Sequence, residues 1–541
     1  MTQLSKRIVP TLITGISGAC VLGIVSVCCH TGLRRAVRAL RVICSLVLHY
    51  KFLKRTTRDL PEEDRALLEE EFHEAWSEVL LRQVLALRGF HMKVAQSLSI
   101  IPGVVPEPYA RAFGSLLEHV PPLPFSNIKR IVETELGDSL TDIFKSFDRA
   151  PIASASVGQV HMAVLKDGHS VAVKVQYPDV ENNFRADLLT LVFVVGRLLP
   201  DMKKTVREQG GEFMKEFDYE DEAANIRLMY EGVMPHFQKG VAIPQPFDEK
   251  HPALGGRRLV TKRVLVMERV PGRSLMSVAG NFIREFLKSQ STTEDKTTQT
   301  KTDLQELEAK GHQMVRRLAF FQLAAIAKSS LTLAYNRSIG RVLSKIPTPK
   351  YELAKVMLDV HGHMLFELGV ISNDPHPGNV LVDEEQGIVS FVDFGNLVSI
   401  DDQERIGFAR FLIAIDSGDR EEAVKRWITG GTEMLWKPTG EINPINEVYG
   451  VLLLRWGGFR GLIEGSKILG ISSPGDLNTK ASMTLGPGVY TYWQLNRSLM
   501  FLAGSTGCLG MLAPNFGRLL RPAAERFLRK RNLPLRTPPA D

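Results

Sequence analysis

Asp374-Pro-His-Pro-Gly-Asn379, the apolar run Val380–Val382, a turn over Asp383–Gly387, the run Ile388–Val392 and Asp393-Phe-Gly395 together decide the fold. Prolines at 375 and 377 exclude a helix interior, so the first six residues form a rigid loop. The two apolar runs read as short strands of one hairpin. Such a hairpin carries its entering residue, Asn379, and its leaving residue, Asp393, to a common end. A carboxamide and a carboxylate are hard oxygen donors of the kind that hold Mg2+. Asp374, five residues before Asn379, has the spacing of an acid that takes a proton from an acceptor hydroxyl.

Two hundred residues upstream, Val171-Ala-Val-Lys174 sets a lysine at the end of a β-branched strand. A rigidly held ammonium can face the α- and β-phosphates of a nucleotide. The hairpin around it comprises Ser156–Val164, a Lys166-Asp-Gly168 turn and His169–Gln176. Lysine strand, Asp-to-Asn loop and Asp-Phe-Gly in this order form the set of a kinase-type phosphoryl-transfer site. Two expected glycine motifs are absent from the sequence. No G-x-G-x-x-G precedes Lys174, where Pro151-Ile-Ala-Ser-Ala-Ser-Val-Gly-Gln-Val-His161 stands instead, and no Walker A sequence occurs, which argues against a P-loop ATPase.

On these motifs the chain resembles the UbiB-type, aarF-domain-containing atypical kinases, over roughly residues 60–430. The family's alanine-rich loop looks like Ala153, Ser154, Ala155, Ser156 and Val157, which the resemblance places on the nucleotide. Its K-x-G-Q motif looks like Lys93-Val-Ala-Gln96, its E-x-D element like Glu216-Phe-Asp218, and its E-A-x-x-N like Glu222-Ala-Ala-Asn225. The likeness implies that Lys174 binds phosphates and pairs with Glu222, and that Asn379 and Asp393 ligate Mg2+. It implies that Met267, Glu268, Arg269 and Val270 form the hinge whose backbone meets adenine. It also implies that Lys93 and Gln96 reach towards Glu216 and Asp218, filling the space of a protein substrate. Two positions depart from the pattern: Ala95 stands for a glycine, and Asn373 for a small residue before Asp374.

The resemblance implies an α+β, protein-kinase-like two-lobed fold with helical N- and C-terminal extensions. Helical spacing of apolar residues runs from Pro61 to Leu98, a second helix reaches about His119, and a third spans about Asn127 to Leu136, ended by Gly137. Residues 59–150 form this extension, 151–270 a strand-rich lobe, 271–430 a helical lobe with a polar insertion at 289–302, and 431–541 a further helical extension. Leu499–Leu512 reads as a core helix there. Further strands are expected at Gly240–Ile243 and Arg263–Glu268.

Charge is unevenly spread. The first 58 residues carry ten Lys and Arg and no acid, whereas the whole chain of 541 residues has a net +7. The rest is therefore slightly acidic, and nothing supports nucleic-acid binding. Five cysteines, none in a CxxC, build neither a disulfide framework nor a zinc site. Residues 8–29 lack charge and could span a membrane, with the heavier basic flank holding the body on the positive-inside side. A cleaved organellar transit segment, a buried helix and a secretory signal stay open.

The favoured reading is an ATP- and Mg2+-using atypical kinase or ATPase, orienting a water or lipid hydroxyl. It would support isoprenoid-quinone or lipid metabolism at a membrane, with mitochondria favoured. Partners would be a membrane lipid or isoprenoid small molecule and proteins of a lipid-biosynthesis assembly. A Ser/Thr protein kinase and a catalytically silent nucleotide-sensing scaffold are the alternatives.

Overall fold

The computed structural model describes residues 31–100, 105–117, 120–198, 213–254, 258–275, 350–373, 377–419, 489–509 and 514–535, with a few isolated positions between them. The uncharged run 8–29, the polar insertion 289–302, and Asp374 and His376 lie outside these residues. The chain forms two compact units, Met1–Glu220 with Phe247–Met267, and Asp221–Pro246 with Glu268–Asp541.

The first unit begins with helices α1 (Thr31–Thr56), α2 (Glu62–Leu87), α3 (Gly89–Ile100), α4 (Glu107–Gly114) and α5 (Phe125–Leu136). α1 packs its Val42, Leu46, Tyr50 and Leu53 onto Phe72 and Trp76 of α2. The Trp76 Nε1–H donates to His49 Nδ1 at 2.9 Å. The helical extension read from residue 59 therefore has α1 built onto it. α5 ends where Gly137 adopts φ +78°, a left-handed cap that a side chain would strain. The helix expected from Pro61 to Leu98 is broken in two. Arg88 and Gly89 both have positive φ, at 53° and 52°. The apolar spacing runs on through the break because α2 and α3 bury residues in one cluster with Tyr109 and Phe113. Arg88 is held in place by donating to the Pro121 carbonyl at 2.7 Å and by lying over the Tyr177 ring.

A five-stranded sheet follows, from β1 (Phe144–Phe147), β2 (Ala153–Ser154), β3 (Gly158–Leu165), β4 (Ser170–Gln176) and β5 (Val264–Glu268), in the order β1-β3-β4-β5 with β2 on β3. The β3–β4 hairpin closes on Gly168 at φ +98°. Val171, Val173 and Val175 fill the core of this unit with Ile128, Val132 and Phe247. The sheet is followed by α6 (Val180–Leu198). α6 is tied to α1 through the Arg35–Asp187 ion pair, and Asp187 lies 3.2 Å from His91 Nδ1 of α3.

The second unit holds α7 (Tyr219–Val233), whose first two residues belong to the first unit, then β6 (Arg273–Ser274), α8 (Tyr351–His363), β7 (Val370–Ser372), β8 (Val380–Asp383), β9 (Ile388–Phe391), β10 (Leu397–Ser399), α9 (Asp402–Ser417), α10 (Val489–Cys508) and α11 (Phe516–Lys530). One sheet runs from the short strand Val241–Ala242 through β9 and β8 to β6, and β7 pairs with β10 in another. α9 starts with a complete capping box, Asp401 and Glu404 bonding each other's backbone. Among the described residues no helix is long and apolar enough to cross a membrane.

The mixed α+β content and the two catalytic-region hairpins match the reading of the sequence. β7 and β10 were not legible, because three residues are too few to show alternation. The core helix read over Leu499–Leu512 is α10, which starts ten residues earlier.

The position of Gly158 is set by contact, not by its φ. A Cβ there would lie 2.5 Å from the Val175 carbonyl oxygen and 2.8 Å from the Tyr219 hydroxyl. Gly158→Ala is therefore expected to cost about 3 kcal/mol. Gly168→Ala, strained in φ but meeting open space, should cost about 1 kcal/mol. Denaturant midpoints of the two variants check the order, and equal midpoints would refute it.

Candidate nucleotide and metal site

Lys174 is carried on the face of β4 opposite the core valines, because side chains alternate along a strand. Its Nζ lies 5.1 Å from the centre of the Tyr219 ring, a cation–π contact. Register adds a second constraint. Ala153 pairs with Val160, and Val160 pairs with Lys174. Directly opposed residues share a face, so the start of the alanine-rich loop and the lysine line one surface across three adjacent strands. The two outer strands lie about 10 Å apart.

The loop itself is a tight turn, with Ala155 N–H donating to the Gly158 carbonyl at 2.8 Å. Ala153 and Ala155 are exposed. The other three residues expected on the nucleotide face elsewhere. Ser154 shares a hydrogen bond with the Tyr177 hydroxyl at 2.7 Å. Ser156 is buried. Val157 packs with Phe184 and Phe217.

The capping element is half as expected. Lys93 forms an ion pair with Glu216 at 2.9 Å and lies over the Phe213 ring. Gln96, however, donates its Nε2 to the Leu116 carbonyl at 2.8 Å, which ties it to the helical extension. Asp218 accepts from Glu220 N–H at 2.9 Å and so caps the first turn of α7. Ala95 is fully packed in mid-helix, where a methyl group fills space and no unusual φ is needed.

In the second unit, β8 and β9 pair antiparallel with Val380 opposite Phe391. The Val392 N–H donates to the Asn379 carbonyl at 3.2 Å, which brings Asn379 and Asp393 to one end of the hairpin. Gly395 N–H donates to Asp393 Oδ1 at 3.1 Å. Glu222 is buried on α7, and its Oε2 lies 3.6 Å from the place a Gly395 Cβ would take. One turn on, Asn225 Nδ2 donates to the Phe394 carbonyl at 2.9 Å. α7 thus fastens the Asp-Phe-Gly segment by the Asn225 amide, with the Glu222 carboxylate packed beside Gly395. The donors at Asn379 and Asp393 are oxygen-based and only partly buried, which fits a hard, water-retaining ion such as Mg2+.

At the hinge, Met267 is buried, and Glu268 exchanges two hydrogen bonds with Gln245: its N–H donates to the Gln245 carbonyl and its Oε2 accepts from the Gln245 N–H. The Glu268 N–H is therefore committed to the protein, which leaves other main-chain groups of Met267–Val270 for a base. Gly272, at φ +113°, lies directly against Val382 of β8. The Ser390 hydroxyl donates to the Pro271 carbonyl at 2.7 Å. The chain after Val270 is thus fastened to the β8–β9 hairpin that positions Asn379 and Asp393.

Sequence reasoning assigned no role to Asn225, Gly158 or Tyr219. Asn225 had a visible signal, its place one helical turn after Glu222. The other two had none, since close approach across a sheet leaves no periodic trace. Asn373, noted only as a departure, is buried beside Asn396, whose carbonyl accepts from its N–H at 2.9 Å.

The profile of a family described as the ABC1 atypical kinase-like domain matches residues 115–320 and 330–427, more than half of the chain. Among curated proteins, AarF domain-containing protein kinase 1 of Mus musculus is 33% identical over 250 residues, 44% of each chain. The Xenopus laevis protein of that name is 27% identical over 325 residues, 58% of this chain and 48% of its own. Protein ACTIVITY OF BC1 COMPLEX KINASE 8, chloroplastic, of Arabidopsis thaliana is 25% identical over 377 residues, 68% of this chain and 39% of its own. The chain spans between about a third and two thirds of the length of the curated relatives it matches.

Two predictions follow from the geometry. Because both partners of the Lys93–Glu216 pair are mostly buried, Lys93→Met should destabilise by about 1–3 kcal/mol, and a double-mutant cycle with Glu216→Gln should show coupling. Additive losses in denaturation would mean that the pair contributes nothing. The second concerns His361 beneath Phe391, whose pKa burial pushes down to about 4, against an opposing hydrogen bond to the Met357 carbonyl. The unfolded chain takes up a proton below about 6.5, so this stability is present above that pH and is lost as pH falls towards 4. His361→Gln should flatten that part of the stability–pH curve, and an unchanged slope would count against the assignment.

Proposed function

Because the chain belongs to the ABC1 atypical kinase-like family, we propose that it binds ATP with Mg2+ and transfers the γ-phosphoryl group to water or a lipid hydroxyl. The kinase-like fold is that of the family; the activity is our reading. Lys174 holds the α- and β-phosphates, and the exposed backbone near Ala153 and Ala155 covers them. Asn379 and Asp393 would hold Mg2+, which when bound neutralises the charge that builds on the phosphoryl oxygens. Asp374 takes the proton of the acceptor, and Glu222 with Asn225 keeps the Asp393-Phe-Gly395 segment in its working conformation.

The Lys93–Glu216 ion pair is the observation that carries the choice of a non-protein acceptor. In the family this element stands where a protein substrate lies, and here its lysine is bound to the chain itself. A membrane setting is supported by the uncharged run 8–29 and its basic flank. An organellar site is supported by the chloroplastic relative, with mitochondria the favoured organelle by resemblance. Isoprenoid-quinone or lipid metabolism, and partners from such an assembly, belong to this reading.

Steady-state phosphate release by the full chain in lipid vesicles tests the proposal. Asp393→Asn should lower Mg2+-dependent ATP affinity by at least about tenfold, and Lys174→Met should raise KM by a similar factor. Binding without phosphate release would select the scaffold reading. Steady phosphorylation of an added protein, lost in Asp374→Asn, would select the protein kinase.

A further inference from the structure

The outward face of α1 is apolar where a surface helix is normally polar. Leu33, Val37, Leu40, Cys44 and Leu48 recur at steps of four, three, four and four, which keeps them on one stripe of the helix. All five are exposed, Leu48 by 59%. They lie opposite the seam of Val42, Leu46 and Leu53 that packs on α2. α6 extends the patch. A Cβ at Gly32 would come within 2.8 Å of the Ala186 Cβ, so the start of α1 lies against α6. Leu189 and Phe193 follow Ala186 by three and seven residues on that same face of α6, and they are 65% and 64% exposed. Single exposed leucines are ordinary on protein surfaces; a continuous stripe shared by two helices is not.

Charge says what covers the stripe. Arg34, Arg38 and Arg41 form a row along one edge, and Lys51, Lys54 and Arg55 close its C-terminal end. The uncharged run 8–29 ends one residue before α1 begins. An apolar helix face edged with cations, next to an apolar segment of the same chain, has the composition of a helix lying in a lipid interface.

We propose that the α1–α6 face, carrying Leu33, Val37, Leu40, Leu48, Leu189 and Phe193, lies on an anionic bilayer, with the arginine row at the headgroups. The inference rests on the membrane part of the functional reading and adds to it a folded surface. It holds the first unit flat on the lipid, where a segment anchored only through residues 8–29 would leave it free to turn.

Cys44, in the middle of the stripe, supplies the probe. In the full chain with Cys20, Cys28, Cys29 and the half-buried Cys508 changed to Ser, a nitroxide is attached at Cys44. A second preparation, in the same background with Cys44→Ser, carries the nitroxide at Lys166→Cys, on the exposed β3–β4 turn. Both are reconstituted into vesicles of phosphatidylcholine alone or with phosphatidylserine, and collision with an aqueous nickel chelate is measured. The Cys44 label should be shielded at least about threefold relative to the Lys166→Cys label, most strongly with phosphatidylserine. Leu48→Glu with Phe193→Glu should abolish the shielding while leaving Mg2+-dependent ATP affinity unchanged. A Cys44 label as accessible as the control on protein that floats with the vesicles overturns this inference alone. Protein that fails to float overturns the membrane reading as well, whatever its ATP affinity. Dipolar broadening between Cys44 labels on protein diluted in the vesicles would place a second copy on the face and also overturn it.

Discussion

The antiparallel pairing of β8 with β9 is the constraint on which the candidate metal site depends. Asn379 and Asp393 are fourteen residues apart in sequence. Backbone pairing of Val380 with Phe391, extended by the Val392–Asn379 hydrogen bond, is what sets them at one end. β8 is buried on alternate positions, so slipping its register by one residue would turn Val380 and Val382 out of the core. Apolar burial of a few valines thus fixes the spacing of two polar donors. The hinge exit is fastened to the same strands, through Gly272 against Val382 and Ser390 on Pro271. The segment after Val270 and the ends of the β8–β9 hairpin therefore share one support in the second unit.

A comparable logic operates in the first unit. Ala153, Val160 and Lys174 are aligned by strand register, and Gly158 permits the close approach of β3 to the Val175 carbonyl. The lysine is then held from the side by Tyr219. The residues that touch phosphate in the functional reading are few. The residues that aim them are the apolar majority of the sheet.

Most of this was legible in the sequence where local chemistry is strong. Prolines at 375 and 377, the Asp383–Gly387 turn and the β-branched run before Lys174 each restrict the backbone on their own. Legibility failed where a decision lies between distant residues. Nothing near Gln96 announces that its amide will go to Leu116, twenty residues on. Nothing in the loop from Ala153 distinguishes exposed Ala155 from buried Val157 until Phe184 and Phe217 arrive. Arg88 and Gly89 interrupt a helix whose apolar period continues unbroken, because both halves serve one cluster. Basic content in α1 pointed to an address segment, whereas its inner seam makes it part of the folded extension.

The hydrogen bond from Asn225 to the Phe394 carbonyl bears on inhibitor chemistry. Ligands that require the phenylalanine of an Asp-Phe-Gly segment to swing outward would here have to break that bond, at about 1 kcal/mol, and expose a ring that is 3% accessible, at about 2–3 kcal/mol more. Such compounds start with a handicap of roughly a few hundredfold in affinity. Compounds that accept the phenylalanine where it lies carry no such penalty, and they are the better starting point for selective probes of this chain.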